Sequence, residues 1–422
     1  MIFVLLLLHN RTNKGADTLS AIFISVLLYY CAIPLLIYIF SKDVVSSTFV
    51  DKVIKASLPQ FLNGCFCVFL FVISVCIAHK YSNRTIKLKS YTCTLTRGYK
   101  NLLKKFIRFC SVVGISCFAL YILSFGGVME MLQQSELVRS FSGDSDIPYL
   151  SKILVFPACF VVLVPCFVTM FIDESNKNLF LLKLFFVFSF LLALLFHINN
   201  AGKTGIIVFF IAIAVPILYK YSNHAWLIVL LAGITGASLV GYLDNFFLFF
   251  TTGTFYEVEG ESFLDNISQF AYPSSNIMSL DGIAGISGIR MGQDILTGIL
   301  SQIPGVKLPL SFEFTSQYYG GTLWREGGGT PTDSVTFGYM QLSYLGVCFW
   351  GLVIGSLSGW VDRLFNRLGD SFGKNYFKST LILAFFVLTT NSDIFIIIRN
   401  QFSLWVPLLF LLLLKNKNKV RT

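Results

Sequence analysis

The side chains best suited to chemistry gather late in the chain, between Tyr319 and Asp333, where the sequence reads YGGTLWREGGGTPTD. Gly327, Gly328 and Gly329 have no Cβ, so the backbone there can approach a ligand closely. Beside them stand Arg325, Glu326 and Asp333. An arginine binds a phosphate through two parallel hydrogen bonds, and a carboxylate within reach of a hydroxyl can take its proton. This stretch opens into an apolar segment whose first turns carry Thr336, Tyr339, Gln341 and Tyr344. Polar groups entering an apolar helix from a glycine-rich loop suggest a water-filled cleft lined for substrate. The bland alternative is a plain loop followed by a packing face, Gly351-x-x-x-Gly355, where small residues let helix backbones meet. Both readings can hold, because the packing glycines lie one to two turns deeper.

Other candidates are scattered. From Asp244 to Asp333 there are ten acidic residues and only three basic ones, Arg290, Lys307 and Arg325. Cations so scarce suit a phosphate or a polyanionic lipid head; as surface salt bridges they would contribute little. The run Glu257, Glu259, Glu261 reads as a solvated face. Asn199–Gly205 contains Gly202-Lys203-Thr204, but a phosphate-binding loop needs a glycine at 197, where His197 stands. Lys203 remains a candidate because a cation between two apolar segments is costly, against the alternative of a lysine snorkelling at the membrane edge. Arg139 precedes Asp144-x-Asp146, a pair that could hold a divalent metal but reads more readily as a solvated acidic loop. Asp393, Arg399 and Asn400 suggest an ion pair at neighbouring helix ends.

The elements that must position these groups follow from composition. Of 422 residues, 55% are hydrophobic and 13% charged, about half the roughly 25% charge of a soluble domain. The apolar residues fall in blocks of about 20, the length that spans a bilayer core of ~30 Å. A soluble enzyme and a disordered chain are both excluded. Backbone groups in lipid must pair internally, so the blocks are helices, and the expected fold is an all-α polytopic membrane protein. Ten spans are expected: Leu19–Phe40, Leu58–Ala78, Phe106–Phe125, Ser151–Ile172, Leu179–His197, Ile206–Tyr219, Ala225–Leu243, Ser334–Leu357, Ser379–Ile396 and Asn400–Leu414. Met1–Leu8 lacks the basic flank of a cleavable signal and would make an eleventh span if it belongs to one. The chain divides into an N-terminal bundle (1–243), one long external loop (244–333) and C-terminal helices with a basic tail (334–422). Within the loop, Ile295, Leu296, Ile299, Leu300 and Ile303 share a helical face that suits the bilayer surface or a cavity cap.

Sorting the loops onto two sides gives 20 basic and 5 acidic residues on one side, against 9 basic and 17 acidic on the other. By the positive-inside rule the first side is cytoplasmic, with both termini there if ten helices cross. The net charge of +10 thus reports topology and does not imply nucleic acid. His79–Lys105 holds eight basic residues and no acidic one, an anchor against anionic lipid worth ~1 kcal/mol per residue. None of the ten cysteines falls in an external loop, so they read as apolar packers.

This layout resembles the Wzy-type polymerases, which join oligosaccharide repeat units in bacterial envelopes. The resemblance rests on Arg139 after an early helix, Ala201–Gly205 between two central helices, Gly327–Pro331 closing the long loop, and the spaced Gly338, Gly346, Gly351 and Gly355. At the central motif Lys203 stands where the family more usually has arginine. The resemblance implies a periplasmic site at the bacterial inner membrane that takes two undecaprenyl-diphosphate-linked oligosaccharides, with no cofactor and no metal. It implies Arg290 and Arg325, with Arg139, Lys203, Tyr339 and Arg399, for holding diphosphate and sugar. Glu326 or Asp333 would be the base, with His197 an outsider. Partners would be the lipid-linked oligosaccharides and membrane lipids, working beside a chain-length regulator and a flippase. An O-antigen ligase or a polysaccharide flippase or transporter is the alternative.

Overall fold

The computed structural model describes residues 17–40, 47–84, 97–135, 148–172, 179–199, 203–221, 249, 270–303, 306, 308–320, 330–366 and 371–417. Among these, every regular element is a helix. In chain order they are α1 Thr18–Ile39, α2 Thr48–Ile54, α3 Leu58–Arg84, α4 Arg97–Ser124, α5 Val128–Gln133, α6 Tyr149–Ala158, α7 Val164–Ile172, α8 Leu179–Asn199 and α9 Lys203–Tyr221. Four short helices follow: α10 Tyr272–Met278, α11 Leu280–Ser287, α12 Gln293–Leu300 and α13 Ser311–Tyr318. The chain then runs through α14 Ser334–Phe365, α15 Phe372–Thr390, α16 Ile394–Asn400 and α17 Phe402–Lys417.

Five of these are long and apolar enough to cross a membrane: α1, most of α3 and α4, α8, and α14. The α6–α7 pair, bent by 44° across a short 3-10 turn, makes a sixth if counted as one span. Pro157 and Pro165 flank this bend, and proline cannot complete the helical hydrogen-bond ladder. The chain is a helical membrane protein by these observations, and the expected span Ala225–Leu243 lies outside the described residues.

The relative directions of α1, α3 and α14 follow from their contacts. α3 and α14 run side by side from the same end: Tyr344 meets Asn63, Gly351 meets Phe71 and Ser74, and Gly359 meets His79 and Ser82. α1 runs the other way, with Thr18 hydrogen-bonded to Asp362 near the end of α14 and Tyr30 to Asp333 at its start. The glycine series is a packing face. A Cβ on Gly351 would come within 2.8 Å of Ser74 Cβ, and one on Gly355 would strike the Val75 carbonyl. At the far end the buried pair His79–Asp362 (3.1 Å) joins α3 to α14, with Thr18 also donating to Asp362.

Several boundaries differ from the sequence expectation. α3 runs on to Arg84 and α4 begins at Arg97, so both enter the expected basic loop His79–Lys105. α14 runs on to Phe365, and α15 begins at Phe372. The span expected over Ser379–Ile396 ends at Thr390, because Asp393 caps a new helix by accepting from Phe395 N and Ile396 N. The stretch expected as a long loop is, where described, part of the bundle. Ile277, Met278 and Leu280 join the main apolar core, and a Cβ on Gly64 of α3 would come within 2.8 Å of the Ile277 carbonyl.

Candidate functional site

α14 is broken inside. Leu342 (φ −150°, ψ 35°) and Ser343 (φ 53°, ψ −138°) leave helical geometry, separating a half-helix, residues 334–341, from the longer arm beyond. The arms fold so closely that a Cβ on Gly346 would collide with the Gly338 carbonyl, and one on Gly338 would come within 2.8 Å of Val347 Cα. Only glycine at these two positions permits that approach.

A helix end leaves carbonyls without partners, and here a strap supplies them. Arg290 N donates to Met340 O (2.9 Å) and Met291 N to Gln341 O (3.0 Å). Gln341 completes the dock by accepting from Gly292 N and donating to Asp294. Among the described residues, Ser343 and Met291 are the two non-glycine residues with positive φ. One lies in the break and the other on the strap docked against it. Such conformations cost about 1–3 kcal/mol each and concentrate at functional sites.

At the other end of the half-helix, Asp333 is fully buried. Its oxygens accept from Val335 N, Thr336 N, Tyr30 Oη (2.7 Å) and Asn276 Nδ2 (3.1 Å). Burial pushes its carboxyl above the ordinary carboxylate range, while the surrounding donors pull the other way. Asn276 passes the network on by accepting from Tyr319 Oη (3.0 Å), and Ser275 also meets that hydroxyl. Ser334 and Trp350 converge on Ser392, whose N–H donates to Thr332 O. The mouth of the half-helix is therefore tied to α1, α10, α13 and α15 at once.

Three expected residues thus meet at one element. Asp333 caps the half-helix, Tyr339 lies on its flank with its hydroxyl donating to Asp281 (2.7 Å), and Arg290 sits on its C-terminal end. The Arg290 guanidinium is held by Asp294 (3.1 Å) and lies 4.6 Å from the Phe314 ring centre. Arg399 is elsewhere, at the end of α16, within electrostatic reach of Tyr121, whose hydroxyl accepts from Asn199. Asp393 pairs with the start of α13, through Ser311 Oγ (2.6 Å) and Phe312 N. The α12 face is split: Asp294 and Gly298 pack inward, Ile295 is partly buried, and Leu296, Ile299, Leu300 and Ile303 are exposed. Arg139, Asp144, Asp146, Glu257, Glu259, Glu261, Lys307, Arg325, Glu326 and Gly327–Gly329 lie outside the described residues, as does the side chain of Lys203 at the start of α9.

The sequence gives no sign of several partners in this site. Tyr30 and Asn276 reach Asp333 from 303 and 57 residues away, and no local pattern announces either. Lys52 and Lys55, which no motif singles out, both line an open cleft of about 690 Å³ between α2, α3, α10 and α13. Among the described residues no three His, Cys, Asp or Glu side chains converge as a metal site.

No family model matches the chain, and neither a curated protein nor a solved structure matches it.

Proposed function

We propose that this chain is a membrane glycosyltransferase of the polymerase type, joining undecaprenyl-diphosphate-linked oligosaccharides on the periplasmic face of the bacterial inner membrane. The observation that carries the reading is the strained break at Leu342–Ser343. It sets a polar half-helix into an apolar bundle, with a buried carboxylate at one end and an arginine at the other. In this reading ten helices cross, both termini are cytoplasmic, and the half-helix opens outward; the segment that carries Arg325 and Glu326 precedes it in the sequence.

The acceptor sugar hydroxyl attacks the anomeric carbon of the donor chain. The bond from that carbon to the diphosphate oxygen breaks, and undecaprenyl diphosphate leaves with the electron pair. Cations stabilise the leaving group, a role for Arg325 and Arg290 with Arg139 and Lys203. A carboxylate takes the hydroxyl proton. Of the two candidates, Asp333 already accepts from four donors away from solvent, which favours Glu326 as the base and Asp333 as the residue that positions the mouth. Tyr339 lines the half-helix toward the sugar.

The test is surface polysaccharide resolved on a gel. Arg325→Ala and Glu326→Gln are expected to collapse the ladder to single repeat units; an unchanged ladder in both sinks the assignments. The break also favours a second reading, since transporters bind substrate at discontinuous helices. Purified protein in detergent, given lipid-linked repeat units, separates the two. A polymerase lengthens them with no second leaflet present, and a flippase yields no longer product.

A further inference from the structure

The cleft beside α2 is unused by the mechanism above. Two of its wall residues are lysines, set against one carboxylate, Asp51, so the wall carries a net positive charge. Its volume lies in the range of small-molecule sites, roughly 300–1,000 Å³.

The two lysines are held differently. Lys52 Nζ donates to Tyr318 Oη (3.0 Å) and lies 4.7 Å from the centre of the same ring. Tyr318 can lie there because residue 282 is glycine; a Cβ at that position would collide with the ring. The ammonium is thus oriented in advance, which reduces the ordering cost of binding, and two of its three donors remain to offer once Tyr318 has taken one. Lys55 instead pairs with Asp51 at 2.7 Å, with the side chains 74% and 43% exposed. An exposed pair of this kind contributes little, so Lys55 can exchange Asp51 for an incoming anion. Gln60 and Ser279 add neutral polar groups to the wall.

Leu58, Phe61 and Leu62 at the start of α3, the helix that contributes Gln60 to the wall, are exposed, and Phe66 and Phe69 continue along it away from the cleft end. The helix end that reaches the cleft thus starts an exposed apolar surface along which a chain attached to the anion can run. From this juxtaposition we infer that the cleft binds the phosphate headgroup of a membrane lipid, through Lys52 and Lys55 with Tyr318 orienting Lys52. The site is read from the cleft itself. It rests on the polymerase reading only for the natural ligand, which would be one of the two undecaprenyl-diphosphate substrates.

The probes are farnesyl diphosphate, inorganic pyrophosphate and farnesol, titrated into the full chain in phosphatidylcholine nanodiscs. Farnesyl diphosphate is expected to bind saturably and more tightly than pyrophosphate, and farnesol not at all. Lys52→Ala is expected to weaken farnesyl diphosphate about tenfold or more, the worth of one charge-assisted hydrogen bond, and Lys52→Arg to retain most of the affinity. Lys55→Glu, at an exposed position that folding tolerates, reverses one charge and is expected to weaken binding as well. Pyrophosphate binding as tightly as farnesyl diphosphate would overturn the lipid assignment, making this a free-phosphate site. Unchanged binding in both Lys52→Ala and Lys55→Glu would overturn the site. Lost binding beside an intact polysaccharide ladder in wild type tells against the cleft alone; intact binding with no polymer formed tells against the polymerase alone.

Discussion

At the scale of single residues, Asp333 shows how one side chain can be both visible and misleading. Its acidity at the mouth of an apolar helix marks it as a candidate base, but its neighbours make it a cap and a junction. Two backbone N–H groups, a tyrosine hydroxyl and an amide converge on it. In Asp333→Asn the new amide would face the Asn276 amide or the Tyr30 hydroxyl as donor against donor. The expected cost is about 1–3 kcal/mol, read as a lower melting temperature in detergent. The sign of the pH dependence follows from the carboxyl being held above its free value near 3.9. The folded chain then retains a proton that the unfolded chain has lost. That stabilisation is complete below the free value and is lost as pH rises through the folded one. The wild-type advantage over Asp333→Asn is therefore expected to be largest at the acidic end and to shrink toward neutrality; an advantage that grows with pH would contradict the raised carboxyl.

At the scale of elements, α14 carries both strain and close packing, and the two can be tested apart. Ser343 sits at φ 53° and ψ −138°, a region open to glycine and costly for other residues. Ser343→Gly is expected to stabilise the fold by about 1 kcal/mol and, if the strained break serves turnover, to lower activity. Gly346→Ala forces the arms apart at the Gly338 carbonyl and is expected to cost about 1–3 kcal/mol or more. Gly285 in α11 is the control: a Cβ there meets nothing within 4 Å, so Gly285→Ala should be neutral or stabilising by up to about 1 kcal/mol. Thermal unfolding of the three variants ranks them. The spacing Gly351-x-x-x-Gly355 foretold a packing face, and Gly359 extends it by another turn against His79. The break was not foretold, because no proline marks it and Gln341, Leu342 and Ser343 read as part of the polar first turns of one continuous helix.

At the scale of the whole molecule, the two ends of the bundle are chemically distinct. One gathers Tyr30, Asn276, Asp333 and the lysine cleft; the other gathers Thr18, His79, Ser358 and Asp362. The proposed orientation puts the first end outside. In a cysteine-free background, Lys55→Cys should react with a membrane-impermeant maleimide in intact spheroplasts, and Asn366→Cys only after lysis. Both residues are exposed on their respective ends, so the reverse pattern would invert the topology and move the site to the cytoplasm.

The sequence by itself determined the class, because burying polar backbone in lipid leaves few alternatives to long apolar helices, and charge sorting separates their ends. It also located α14 and its glycine face, since helix periodicity is local. What only the tertiary structure decided was the company each polar group keeps. Asp333 is satisfied by partners on α1 and α10 together with its own helix, Arg290 is bound into a strap that fills the carbonyls of a broken helix, and Lys52 becomes a wall of a cleft. Hydrogen bonds between residues hundreds of positions apart leave no periodic trace. A break forced by two arms packing at Gly338 and Gly346 is a property of their contact, and neither segment carries it alone.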